Sequence, residues 1–574
     1  MRARQLAGEL ETRHPEGLSH LELFLATEDL LPVTEEKKTW TAWSFVSFWI
    51  ADSFNLNTFT IASSMIAAGL NWWQAFVCVI IGYGLVGPLL VLNARPGAIH
   101  GIVFPAVNRT TFGLFGSLWP VFNRAGMACI WWGVQAWLGG ECVYVLLRAL
   151  WPSVTRIPNK MPASSETTSA YILSFVIYWL LSLPTIWVPI HKLKWLFAAK
   201  AVVGPIVGFA LFGWSISRAG GIGPVFSQPA QLSGSALGWQ MIISISSCFN
   251  NMFTLITNAP DFASRARTPS AAVWPQIIAM PIGFSVTSFL GIVIASSTVP
   301  QFGEQIWDVV KIMDKMLDTN GDSKTRAGLV FISAGFIYVQ LLLNVAANSV
   351  SAGCDLTALF PRYINIRRGG YIAAIVGICM NPWLLYKSSA TFGNYLGAYG
   401  VLLSCIAGPM ITDYWFVRRG HMRLNDLYTL DRSGWYWYTA GIHWRGYVAY
   451  LCGFAVNAPG FIHTLAPNVS VPVGAQRIYY LSWITGTGIS GLVYYLLCLL
   501  SPPPGMNRTF CEIDESAGEP RIDEIMREKY SSPREGAGVP SPSGQSGEEG
   551  DGYGYDEKAK RIGTEVHVLP SREG

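Results

Sequence analysis

Between Trp40 and Ala67 the chain stays apolar for long enough to cross a bilayer, which takes about 20 residues, yet Asp52, Ser53, Asn55 and Asn57 sit halfway along it. An ionisable group at mid-bilayer costs about 3 kcal/mol or more, so a chain that keeps one turns it toward a cavity, a partner or a bound solute. The stretch therefore predicts a discontinuous helix whose polar middle, Ser53 included, lines a substrate site, with Asp52 as a candidate proton carrier.

The rest of the chain fits a membrane setting. Charged residues make up 13% of the 574, against about 25% in soluble proteins. The net charge of +4 is scattered between apolar runs, which gives no footing for nucleic acid. Further apolar stretches follow near 71–93, 121–147, 169–190, 195–217, 237–257, 272–297, 327–358, 370–386, 391–417, 446–463 and 478–500, for an expected total of twelve spans. Lys and Arg gather in alternate loops, among them Arg95, Arg109, Arg265, Arg267, Arg362, Arg367, Arg368, Arg418 and Arg419. That bias places both termini in the cytoplasm. Residues 1–39 are expected to form a polar cytoplasmic tail without a cleavable signal, 40–500 the membrane domain, and 501–574, rich in Ser, Gly, Pro, Glu and Lys, a disordered cytoplasmic tail. Lys529, Lys558 and Lys560 in that tail are candidate sites for regulated removal from the membrane.

An echo of the first span lies at Met241–Thr257, where Phe249-Asn250 and Phe253-Thr254-Leu255 repeat Phe54-Asn55 and Phe59-Thr60-Ile61. Spans one and six are where a five-plus-five inverted repeat places its two interrupted helices, with the solute between them. The pattern predicts breaks near Asp52 and near Asn250. In span three Trp131 and Gln135 stand at i and i+4, and in span eight Asn344, Asn348 and Asp355 share a face. An indole offers a flat stacking surface and an amide offers donor and acceptor together. A planar heterocycle rimmed with N–H and C=O suits that set; helix packing through the same residues is the competing reading. Arg124 and Asp261, near the cytoplasmic ends of spans three and six, are candidate inner-gate charges. Asp355, Glu141 and Lys200 are further ionisable groups within spans. Nine of the ten cysteines fall in apolar spans and no CxxC occurs, which argues for packing rather than metal. No span holds a nucleophile–base pair, which argues against an enzyme.

At these residues the chain resembles the nucleobase-cation-symporter family, in particular its fungal uracil, allantoin and uridine permease branch. The likeness is carried by TWTAWSFVSFWIADSFN, VLNARPGA, FGSLWPVFNRAGMACIWWGVQAW, TLITNAPDFASRA, AANSVSAGCDLTALFPRYINIRRGGYI and ITDYWFVRR followed by LNDLY. It implies an all-α membrane protein with the LeuT-like five-plus-five repeat and two added helices, importing a uracil-like heterocycle at the plasma membrane by alternating access. It also implies that Trp131 stacks on the ring, that Gln135 and Asn348 hydrogen-bond it, that Asn55 contributes from the break, and that Met252 stands where bacterial relatives carry a second tryptophan. Phe392 and Tyr399 match gating and selectivity positions. Where sodium-coupled relatives supply span-eight oxygens, this chain has Val339, Leu342 and Leu343. That departure points to proton coupling, with Asp52, Asp355, Lys200 and Glu141 as candidates and no other cofactor or metal. Allantoin, uridine, urate or thiamine, or a non-transporting sensor of the same fold, are the alternatives.

Overall fold

A computed structural model describes residues 11–12, 19–188 and 194–531. Among the described residues the structure is a helical bundle with a single parallel two-residue strand pair, His421–Met422 with Ile513–Asp514. Eight helices are long and apolar enough to cross a membrane: Trp72–His100, Ser169–Trp187, Leu196–Arg218, Pro269–Phe302, Ser323–Leu359, Ser389–Val417, Trp444–Leu465 and Ser482–Leu500. The expected first, third, sixth and ninth spans are helical but are not among them. Three of these four build the candidate site: the first is split into two short halves, Ala42–Ser53 and Leu56–Ala67, and the third and sixth carry polar residues that lower their hydropathy. The ninth, Ile366–Cys379, is short because Asn381 takes a left-handed conformation with φ 56° before Pro382, so the 3₁₀ turn Pro382–Tyr386 stands apart from it.

The first span is broken as expected. Ala42–Ser53 ends at Phe54, and Leu56–Ala67 starts afresh from Asn55. The Asn55 side chain joins both halves: its Nδ2 donates to the Asp52 carbonyl at 2.5 Å, and its Oδ1 accepts the Thr58 N–H at 2.9 Å. Lipid offers no partner for freed backbone groups, so a broken helix needs such internal ones.

The sixth span departs from expectation. Gly234–Thr257 runs unbroken through Asn250, and the interruption comes at Asn258, before the short helix Ala259–Ala263. Asn250 faces the tenth span instead, where a side chain at Gly400 would collide with its Oδ1. The break falls later because Pro260 has no N–H to give the Ile256 carbonyl, while the Asp261 N–H goes to Asn258. Two carbonyls are thereby freed, and Asn93 of Trp72–His100 takes both, donating to Ile256 at 2.6 Å and Thr257 at 3.0 Å. The Phe-Asn echo is therefore a likeness of sequence and not of break position.

The segment 501–531 also departs from expectation, since it packs against one end of the bundle. Glu512 accepts two hydrogen bonds from Arg95, at 2.7 and 2.5 Å, and one from Tyr414 at 2.9 Å. Phe510 stacks on Trp415 at 5.3 Å and 13°. The helix Ile522–Ser531 reaches the N-terminal segment through Arg527 to the Pro32 carbonyl and Tyr530 to Ala26. Composition reads this stretch as unable to fold alone; docked, it borrows apolar and charged partners from the bundle. Lys529 lies on that helix, and Lys558 and Lys560 lie outside the described residues. Arg109 locks the same end, donating to the carbonyls of Phe24, Leu25 and Leu427 at 3.0, 2.9 and 2.7 Å.

Replacing Asn93 by Leu orphans both carbonyls at the sixth-span break, so a stability loss of about 2 kcal/mol is expected. Thermal unfolding of the detergent-purified chain measures it.

Candidate functional site

A central cavity lies against the first break. Its wall takes Asp52 and Asn57 from the two half-helices and Asn55 from the break between them, Trp131 and Gln135 from Leu118–Leu150, Asn251 and Met252 from Gly234–Thr257, and Asn348 from span eight. Four stretches far apart in sequence thus meet around one space. Asn348 sits in a π-helical stretch, Asn344–Ser349, set within an otherwise α-helical span. Such bulges mark functional sites because they shift side chains out of helical register.

Trp131 is held edge-on by Tyr399, at 5.9 Å and 84°, and tilted against Tyr395 at 5.7 Å. The ring is 5% exposed and lines the cavity. On the sixth span Met252 lines the same space, and the Asn251 amide donates toward its sulfur at 3.7 Å.

The polar groups are tied to one another. Gln340, fully buried, accepts the Leu56 N–H at 3.4 Å and donates to Gln135 Oε1 at 2.7 Å. A backbone N–H can only donate, so this chain fixes which atom of each amide is oxygen. Gln135 is left with its NH₂ unpartnered among the described residues. Asn57 donates to Asn251 at 2.9 Å and accepts from Tyr386 at 3.1 Å.

Both ends of the cavity carry closing elements. Toward the end bearing the packed terminal segments, Arg124 meets Asp355 at 2.7 Å, with both side chains buried. Asn258 is oriented by the Thr254 carbonyl, and its oxygen then accepts from Arg124 Nη1 at 2.9 Å. The sixth-span break is thereby tied to span three. Asp261 does not reach this pair but accepts the Phe104 N–H at 2.8 Å. Toward the opposite end, Trp307, Tyr386 and Phe392 form an aromatic cluster with centroids 4.7 to 6.2 Å apart.

Several expected residues fall elsewhere. Ser53 is fully buried, bonds the Ile50 carbonyl at 3.1 Å and packs on Gly283, so it faces helix Trp274–Ser296 and not the cavity. A serine one position past Asp52 points away from whatever Asp52 faces. Asp355 is engaged by Arg124 and is not free. Phe392 and Tyr399 do not line the cavity; the first belongs to the aromatic cluster and the second braces Trp131. Glu141 is buried away from the cavity. Lys200 is 3% exposed, so it does not reach the surface, and the charges of Asp52 and Lys200 act on each other without an ion-pair contact. Gln340 and Asn251 escaped the sequence reading. For Gln340 the signal was present: 340, 344 and 348 follow a spacing of four along one face.

Interrupted helices flanking a polar, aromatic-walled cavity inside a bundle of membrane-crossing helices are the construction of a secondary transporter. The fold is LeuT-like: it matches the inward-facing structure of Mhp1 with TM-score 0.68 at 21% identity, covering 90% of this chain and 99% of that one. Residues 32–486 match the family described as permeases for cytosine/purines, uracil, thiamine and allantoin, and the chain belongs to that family. It is 41% identical over 496 residues to an uncharacterised permease of Schizosaccharomyces pombe, spanning 86% of this chain and 84% of that protein. It is 40% identical to the allantoin permease of Saccharomyces cerevisiae over 497 residues, and 39% identical to the uracil permease of the same yeast over 495. Each of these two spans 85% of this chain and 78% of the permease. The protein is thus a multi-pass membrane permease and not an enzyme.

Arg124→Leu and Asp355→Leu should each cost about 3–5 kcal/mol by stranding a buried charge, and the double variant should recover most of that loss. A double-mutant cycle of unfolding temperatures measures the recovery.

Proposed function

We propose that the protein is a proton-driven symporter that imports a uracil-like heterocycle across the plasma membrane. The observation that carries this reading is the convergence of Trp131, Gln135 and Asn348 on one cavity beside the first break. A planar ring stacks on the indole, while its rim bonds the two amides. Met252 supplies an apolar wall opposite in character to an indole, which admits rings of varied outline.

Support for proton coupling comes from the neighbourhood of Asp52. It lines the cavity at the end of the first half-helix, with buried Lys200 as the cation that acts on it. In span eight Val339, Leu342 and Leu343 offer no side-chain oxygen for sodium. Protonation of Asp52 couples to the ring because both occupy the same cavity wall. Asp355, engaged by Arg124, serves the inner gate with Asn258, while Phe392 belongs to the outer gate and Tyr399 sets the pose of Trp131. Alternating access then moves spans one, two, six and seven against three, four, eight and nine.

The arginine-rich end of the bundle is the cytoplasmic one, and it carries both packed terminal segments. Residues 1–39 and 501–574 are then cytoplasmic and 40–500 form the transport domain, with 19–39 and 501–530 packed against its inner face. The relatives that transport allantoin and uracil by name keep both substrates in view.

Uptake of radiolabelled uracil, allantoin or uridine by cells expressing the chain should collapse with a protonophore and persist when sodium is replaced by choline. The opposite pattern overturns proton coupling, and no saturable uptake of any label overturns the substrate class. Trp131→Ala is expected to raise KM by roughly tenfold or more through lost stacking, about 1 kcal/mol beyond burial.

A further inference from the structure

Asn348 lines the cavity, but its orientation is decided one shell behind it. The Trp132 carbonyl can only accept, and it takes a hydrogen bond from Asn344 Nδ2 at 3.0 Å. Asn344 Oδ1 is thereby fixed as the atom that faces Asn348, and it accepts from Asn348 Nδ2 at 2.9 Å. Asn344 is 1% exposed and Asn348 7%, so water does not compete freely for either amide. Among the described residues nothing donates to Asn348 Oδ1. The Asn348 oxygen is therefore the atom left without a partner, held so by a residue that does not itself line the cavity.

We infer that Asn344 is a positioning residue that makes Asn348 an obligate acceptor, so that the permease requires a ring N–H at this point. Together with the NH₂ that Gln340 leaves free on Gln135, the site takes a ring edge on which an N–H and a carbonyl stand side by side, the cyclic lactam or imide edge. This deepens the reading of the cavity as a heterocycle site and rests on it. The π-helical stretch is part of the device: both asparagines lie within it, and Ser349 beside them accepts from Trp132 Nε1 at 2.9 Å, which pins the stretch to span three.

The consequence is a specific intolerance. Turning a ring N–H into a ring oxygen keeps the outline of the ligand but sets two acceptors against each other, which costs a buried hydrogen bond and adds repulsion. With Asn344 removed, Asn348 can rotate and offer its NH₂, and the intolerance relaxes. Aspartate at 344 keeps it in either protonation state, because a carboxyl still accepts from Asn348 and, when protonated, also donates to Trp132.

The test is ligand-induced thermal stabilisation of the detergent-purified full chain by uracil and by the two oxazinediones in which oxygen replaces N1–H or N3–H. For the wild type one oxazinedione should need a concentration roughly tenfold or more above that of uracil. Asn344→Leu should shrink that ratio to within about threefold, while Asn344→Asp keeps it. Equal binding of all three compounds by the wild type, or a ratio unchanged in Asn344→Leu, overturns the inference. If Asn344→Leu does not fold, loss of the ratio in Asn344→Asp overturns it and retention supports it. Selective stabilisation without uptake would sink the transport reading and leave this one standing.

Discussion

The constraint on which this structure depends is the accounting of backbone hydrogen bonds where two helices stop inside the bilayer. Each interruption frees N–H and C=O groups that lipid cannot satisfy. Two asparagines absorb them by different routes. Asn55 works from within, capping the second half-helix and reaching back to the Asp52 carbonyl. Asn93 works from a neighbouring helix, collecting the Ile256 and Thr257 carbonyls that Pro260 leaves open. With both breaks satisfied, the polar groups around them can be turned to a solute.

A second layer of amides converts that opening into a site with a defined face. Gln340 sits between Gln135 and the first residue of the second half-helix, and Asn344 sits between Asn348 and the third span. Each is anchored to a backbone group whose role cannot change, and each passes that fixed polarity one residue inward. Gln340 also bonds across the line between the first span and span eight. Movement of the first span therefore alters the group that orients Gln135, which ties the polarity of the cavity wall to the position of the first span.

Much of this was legible in the residues. The fault at Asp52–Asn57 located the first break, and the i, i+4 spacing of Trp131 and Gln135 placed them on one wall of the cavity. Ser53 turns away from the cavity because adjacent residues on a helix diverge by about 100°, and the span-six break lies beyond the Phe-Asn and Phe-Thr-Leu echo because Pro260, outside the echo, sets it. Composition reads 501–574 as disordered because it reports what a stretch can bury alone, not what 501–530 gains from Arg95 and Trp415.

Sequence alone determined the solvent this chain folds in, the family it belongs to and which residue types line the cavity, because apolar length, buried charge and motif order are properties of a linear string. Only the tertiary structure decided that Asp355 belongs to Arg124 and that Phe392 joins a cluster with Trp307 and Tyr386. The same holds for the buried amides that choose which atoms of Gln135 and Asn348 face inward. Those outcomes depend on distances between helices remote in sequence, and an amide shows its donor or its acceptor only according to the neighbour that the fold puts behind it.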